Sequence, residues 1–167
     1  MKKIILVGKA ASGKDFFKDY LTNEGFMPSI AHTTRPIREN EEEGKTYHFI
    51  TDNEFDMMVA QGKFYEHKVF NGWKYGTTKD SFEKSDVFIL TPSGVGNIDV
   101  EDFVVVYFSI SQDLRVERLR DRSDSDKILR RLSADNEDFR GFNDYDILVT
   151  DPKFSPYELK SLILKNI

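Results

Sequence analysis

The chain has no cysteine among its 167 residues. That excludes disulfides and thiolate-ligated metals and fits a reducing compartment. It has no apolar run approaching the length of a membrane-spanning helix. Met1-Lys2-Lys3 followed by Ile4 to Val7 is too short for the apolar centre of a secretory leader. The compartment expected is the cytoplasm, with no membrane partner. Positive charge is in deficit: the net charge is −5, which argues against a nucleic-acid binder working through bulk electrostatics. Arginines in an acidic chain then become candidates for specific placement. No internal repeat or low-complexity linker occurs, and the run Glu39 to Glu43, broken only by Asn40, reads as a solvated loop. What is present is an ordinary globular composition, 39% hydrophobic and 32% charged, in a length that suits one domain with its own core.

Three segments read as buried strands, Lys3–Val7, Val87–Thr91 and Val104–Ile110, with a weaker fourth at Asp146–Thr150. Helical patterns alternate with them. Residues Asp15–Asn23 place Phe16, Phe17, Tyr20 and Leu21 on one face; Gln112–Arg122 and Ser125–Asp138 follow the third strand. A last helix starts at Ser155-Pro156, an N-cap followed by proline at the first helical position. This alternation predicts an α/β fold, a parallel sheet with helices on both faces. The middle third differs. Tyr47–Ile50 reads as a strand, and Thr51 with Glu54 as a capping box opening a helix that stops near Gly62. Phe64–Phe70 and Trp73–Tyr75 flank Asn71-Gly72, a strong hairpin signal. Residues 31–78 are expected to form a mixed α+β insertion on the core.

The first functional signal is Gly8-Lys9-Ala10-Ala11-Ser12-Gly13-Lys14-Asp15, with the spacing G-x-x-x-x-G-K between a strand and an amphipathic helix. Glycines let several backbone N–H groups converge on one anion, and the helix N-terminus adds partial positive charge. Lys14 supplies a full charge for the β- and γ-phosphates. The triphosphate site is therefore expected at Gly8, Ala10, Ala11, Ser12, Gly13, Lys14, Asp15 and Phe16. Asp15 stands where Ser or Thr ordinarily gives Mg²⁺ a hydroxyl ligand. Two readings of it stand side by side: it holds Mg²⁺ directly or through water, or it merely favours the positive end of the helix.

With that loop, Thr33-Thr34-Arg35-Pro36-Ile37-Arg38, Glu41, Gly44, Tyr47 and Phe49 resemble the run T-T-R-x-P-R-x-G-E-x-x-G-x-x-Y-x-F, with Ile37 at its proline and Asn40 at its first glycine, and Phe64-Tyr65-Glu66 and Tyr75-Gly76-Thr77 continue it. Leu114, Arg118, Leu119, Arg122, Ile128, Arg131 and Leu132 complete a pattern that resembles the guanylate kinase family over nearly the whole chain. The resemblance implies a P-loop NTPase three-layer core (1–30, 79–117, 136–167), the insertion 31–78 as monophosphate-binding part, and a short helical lid at 118–135. It implies that Arg35, Arg38, Tyr47 and Tyr75 hold the monophosphate, with Gly76 in the same element. Glu66 would accept from the guanine N1–H and N2–H₂, and Thr77 would face O6. Arg118, Arg122 and Arg131 would join Lys14 as the catalytic cations, although Glu117, Asp121, Asp124 and Asp126 leave a salt-bridge-laced helix face as the alternative there. The implied reaction is ATP- and Mg²⁺-dependent phosphorylation of GMP or dGMP, with mobile parts closing to exclude water. The chemistry agrees: a phosphate dianion suits paired arginines, one carboxylate matches two adjacent guanine donors, and phosphoryl transfer is carried by positioning and electrostatics.

Three departures from the family pattern stand out: Asp15 itself, Ala31 where the family has serine, and Leu90-Thr91-Pro92-Ser93-Gly94 where it has an L-D-x-D segment. Asp15 is read as taking over a lost carboxylate's role beside the metal. Loss of polar base contacts at Ala31 and Ser93 opens the alternatives of a broader or different acceptor, or of a binding module with weak catalysis.

Overall fold

The computed structural model describes residues 1–121 and 128–167, with the backbone alone at Leu129 and Arg130. The chain divides into two compact units: Met1–Phe26 with Asp86–Ile167, and Met27–Ser85. The first unit opens with strand β1 (Lys3–Gly8) and helix α1 (Lys14–Asn23). The second unit contains β2 (His32–Thr33), β3 (His48–Phe49), α2 (Asp52–Ala60), β4 (Phe64–Phe70), β5 (Trp73–Thr78) and α3 (Lys79–Lys84). The chain then returns to the first unit with β6 (Val87–Ile89), α4 (Pro92–Val95), β7 (Phe103–Phe108), α5 (Gln112–Asp121), α6 (Ile128–Asp138), β8 (Ile147–Val149) and α7 (Pro156–Leu164).

In the first unit β1 lies inside a parallel sheet of order β6-β1-β7-β8. Its run Ile4 to Val7 is buried throughout, as a strand covered on both faces must be. Side-chain alternation divides the strands between two layers. Ile4, Leu6, Val104, Val106, Phe108, Ile147 and Val149 pack with Phe17 and Leu21 of α1 and Leu159 and Ile163 of α7. The neighbouring Tyr107 instead meets Phe139, Phe142 and Tyr145, with ring centroids 5.6, 5.2 and 5.4 Å away. The Ser155 hydroxyl accepts from the Glu158 N–H and caps α7, with Pro156 in the first turn. The strand expected over 87–91 ends at Ile89. Thr91 is an N-cap, its hydroxyl accepting from the Gly94 N–H, and Pro92 has no N–H to continue the ladder. The helices expected over 112–122 and 125–138 are described to Asp121 and from Ile128, and the remainder lies outside the described residues. No described helix is long and apolar enough to cross a membrane.

The second unit is a sheet of order β3-β2-β5-β4, with β2 parallel to β3 and the other pairs antiparallel. Asn71 (φ 52°) and Gly72 (φ 81°) turn the β4–β5 hairpin, both left-handed as a type I′ turn demands. The Thr51 hydroxyl accepts from the Glu54 N–H at the start of α2. The unit reaches beyond residues 31–78 because α3 packs onto it. Tyr65 and Phe82 stack at 3.8 Å, and the Ser29 and Ser81 hydroxyls bond at 2.9 Å.

Candidate functional site

In the first unit the turn from β1 into α1 forms a tight loop. A Cβ on Gly8 would lie 2.3 Å from Ser12 Oγ and 3.2 Å from Phe108 Cβ, so glycine alone fits. Ser12 is buried, with no hydrogen-bond partner for its hydroxyl. Gly13 (φ 98°) caps α1 in the left-handed region, and Ala11 (φ 60°) occupies that region without a glycine's freedom. Lys14 Nζ donates back to the Lys9 carbonyl at 3.3 Å and lies 3.9 Å from the Asp15 carboxylate. The loop thus presents a lysine, a helix N-terminus and exposed Asp15 at one place.

Two further helices reach this loop. Arg118 of α5 donates from Nη1 to the Ala11 carbonyl at 2.9 Å. Asp135 of α6 accepts from the Ala10 N–H at 2.9 Å. Arg131 is half-buried on α6, and Arg122 lies outside the described residues. Beside the loop is a cavity of about 390 Å³ lined by Ala11, Gly13, Asp15, Phe16, Arg118, Asp121, Pro152 and Phe154. Phe16 is exposed and meets Phe154 edge-on at 6.2 Å. A cleft that combines apolar walls at Phe16, Pro152 and Phe154 with the charged groups of Asp15, Arg118 and Asp121 has the mixed lining of a small-molecule site.

The second unit gathers the other set. Arg35 is buried and bidentate to Glu41, Nη1 to Oε1 and Nη2 to Oε2, both at 2.7 Å. It also lies 5.4 Å from the Tyr47 ring and 5.9 Å from the Phe49 ring. Burial works against its charge, but the bond to Glu41 and the nearby tyrosines hold its pKa above the usual value. Glu41 Oε1 also accepts from the Arg38 N–H at 2.9 Å. Burial alone would raise the Glu41 carboxyl, but its bonds to Arg35 and Arg38 bring it below the ordinary carboxylate value. Tyr47 and Tyr75 meet edge-on at 5.9 Å.

Glu66 and Thr77 are register partners across β4 and β5, and both are buried. Phe64 and Glu66 share the inward face by strand alternation, and a register shift between them sets Glu66 opposite Thr77. Gly76 is required by sterics, since a Cβ there would lie 2.6 Å from the Phe64 ring. One carboxylate oxygen of Glu66, Oε2, is buried without a partner. Burial pushes this carboxyl up, partly offset by hydrogen bonding to Thr77 and the charge of Lys68. A buried acceptor without a donor is costly in a folded protein, and such perturbed buried carboxyls are found most often at functional sites.

Among the described residues no group of three or more His, Asp or Glu side chains could hold a metal ion. Mg²⁺ in nucleotide kinases needs less, since one or two carboxylates suffice when phosphate oxygens and waters complete its shell. Asp15, exposed in the first turn of α1 beside Lys14, is the carboxylate at this loop that could serve as one such ligand.

A family model for guanylate kinase matches residues 1–163. The chain belongs to the guanylate kinase family. The guanylate kinase of Homo sapiens is 30% identical, over 99% of this chain and 94% of the human protein. That of Legionella pneumophila (strain Lens) is 34% identical over 83% and 72%. A crystal structure of guanylate kinase from Anaplasma phagocytophilum superposes with a TM-score of 0.74 at 22% identity, covering 99% of this chain and 86% of that one, a likeness of fold. For a guanylate kinase family member, the sequence reading leaves several residues without a role. Glu41 was visible only as a letter of the motif, and its three bonds, two from Arg35 and one from the Arg38 N–H, show it to be the brace of the Arg35–Arg38 loop. Asp121, Pro152 and Phe154 come to the cavity from distant segments, and Asp135 carries no local signal at all.

Proposed function

We propose that this protein transfers the γ-phosphoryl group of ATP to GMP or dGMP. The observation that carries the acceptor assignment is Glu66, a buried carboxylate with an unpartnered oxygen opposite Thr77. Two adjacent N–H donors on a guanine edge satisfy it, whereas adenine and cytosine set an acceptor beside their one donor group and the N3–H of uracil or thymine lies between two acceptors. Arg35, Arg38, Tyr47 and Tyr75 hold the monophosphate, with Glu41 fixing the guanidinium of Arg35 and the backbone of Arg38. Gly76 lets β5 lie close against Phe64.

On the donor side the backbone of residues 8–15 and Lys14 cradle the β- and γ-phosphates, and Phe16 lies at the cavity that takes the nucleoside. Asp15 would hold Mg²⁺, which when bound neutralises charge on the β- and γ-phosphate oxygens. An oxygen of the GMP phosphate attacks the γ-phosphorus. The bond from that phosphorus to the β–γ bridging oxygen breaks, and ADP leaves carrying the electron pair. The attacking oxygen is already anionic, so no general base is required. Lys14, Arg118, Arg122 and Arg131 stabilise the charge spread over the transferring group.

A second reading, a broader acceptor range, is favoured by Ala31 and by Ser93, whose hydroxyl bonds to that of Thr91 at 3.1 Å. Coupled ADP release over GMP, dGMP, AMP, dTMP and UMP tests both. Strong preference for GMP and dGMP supports the leading reading, comparable rates across the panel support the second, and no turnover on any acceptor leaves a binding module. The cytoplasm is the compartment proposed.

A further inference from the structure

The apex of the phosphate loop is strained and is held from two sides. Ala11 sits at φ 60°, a conformation a residue with a Cβ keeps only when its surroundings impose it. The surroundings here are two side chains of opposite sign. Arg118 of α5 donates to the Ala11 carbonyl, and Asp135 of α6 accepts from the Ala10 N–H, each at 2.9 Å. A third contact follows on α6, where Asn136 Oδ1 accepts from Lys9 Nζ at 3.0 Å. Three successive residues, Lys9, Ala10 and Ala11, are thus tied to helices more than a hundred positions further along the chain.

Asp135 is the centre of this arrangement. It is 7% exposed, and Arg115 nearby is 2% exposed. Arg115 donates from Nε to the Ile110 carbonyl at 3.2 Å and has no partner for Nη1. Burial depresses the Arg115 and Lys9 pKa values, and the charge of Asp135 opposes the shift in both. A carboxylate here therefore meets three demands at once: it accepts from the loop, and it offsets two poorly solvated cations. The cost is a negative charge close to where the donor's phosphates are placed. A group serving only to attract ATP would not carry that sign, so its value lies in shape.

We infer that Asp135 is a positioning residue for the donor nucleotide: from α6 it pins the Ala10 N–H so that the loop keeps its phosphate-cradling form. The inference rests on the reading of residues 8–15 as the donor site. It is independent of which base the acceptor carries.

The test uses the full chain and ADP as probe. Asp135→Ala removes the acceptor, and Asp135→Asn keeps an oxygen acceptor while removing the charge. ADP affinity by calorimetry is expected to fall about tenfold in Asp135→Ala, the loss of one hydrogen bond to a charged acceptor. In Asp135→Asn it stays within about threefold of wild type, since a neutral bond of about half that strength remains. GMP affinity moves in neither variant, and amide exchange at Ala10 accelerates in Asp135→Ala alone. The inference is overturned by equal loss of ADP and GMP affinity, by Asp135→Asn behaving as Asp135→Ala, or by unchanged ADP affinity in Asp135→Ala. Should Asp135→Ala fail to fold, Asp135→Asn decides: slow Ala10 exchange with near-wild-type ADP affinity supports pinning, and fast exchange with undiminished affinity refutes it. A wild-type protein that binds no ADP would instead sink the donor-site reading itself.

Discussion

Replacing Glu66 by glutamine tests the guanine assignment while keeping size and shape. Glu66 is 8% exposed, its Oε2 has no partner, and its cross-strand neighbour is Thr77. An ionised carboxylate accepts from both N1–H and N2–H₂ of guanine. Glutamine offers one oxygen and turns an N–H₂ towards the second donor, so one charge-assisted bond is lost and the other weakened. At about 1.5–3 kcal/mol for each bond to a charged group, the loss is about 3 kcal/mol, or on the order of 100-fold in kcat/KM for GMP. The assay is coupled ADP release at varied GMP, with IMP, which lacks the 2-amino group, as a second acceptor. IMP should be roughly tenfold poorer than GMP for the wild type, since one bond is missing, and that gap should narrow in the variant. The stability effect has the opposite sign. Burial raises the Glu66 pKa, so the folded state holds its proton more tightly than the unfolded chain. The cost of the buried charge is then fully present above the raised folded pKa and disappears as pH falls through the window down to the unfolded value. At neutral pH the glutamine variant should have the higher denaturant midpoint. A variant that keeps GMP turnover within threefold, or that loses stability at neutral pH, refutes the assignment.

Asp15→Ser should raise the magnesium concentration needed for half-maximal rate; an unmoved titration and rate would remove Asp15 from the metal's shell. Gly8→Ala places a methyl 2.3 Å from Ser12 Oγ, so ADP affinity should fall at least about tenfold, the scale of a displaced cradle. Adding Ser12→Ala should restore part of it, and a strictly additive double variant would contradict the steric account. Glu41→Gln should raise the GMP KM about tenfold by loosening Arg35 and Arg38, read from steady-state kinetics at neutral pH. Because its bonds hold the folded-state Glu41 pKa below the ordinary value of 4.5, its stabilising effect is present above that value and lost as pH falls through the folded pKa. The acid limb of the wild-type stability curve should therefore be steeper than that of Glu41→Gln, and coincident limbs would refute the linkage.

Much of this was legible because short-range physics wrote it. Asn71-Gly72 announces its hairpin, Thr51 and Ser155 announce their helices, and the apolar run of β1 announces a strand buried on both faces. The phosphate loop was legible for the same reason, as one contiguous segment with its chemistry in order. What escaped was set by distance along the chain. β2 is two residues long, too short for any periodicity. The end of β6 depended on Thr91 choosing to cap rather than to extend. Asp135 meets Ala10 across 125 positions, and no local pattern on α6 hints at it. The bond between Arg35 and Glu41 was within reach of the motif, but which acid the buried arginine would take among Glu39, Glu41, Glu42 and Glu43 is decided by the turn of the loop.

The position of β1 in its sheet has a consequence for synthesis. Its two partners, β6 and β7, begin at Val87 and Phe103, so β1 is made about 80 residues or more before anything it pairs with. A nascent chain carries Ile4 to Val7 as an unsatisfied, wholly apolar edge while the second unit, which lies between β1 and β6 in the chain, emerges. Long-range parallel pairing is slow, and such an edge invites association with other chains. Lys2 and Lys3, at its start, are placed to keep that segment soluble until the ribosome has delivered its neighbours.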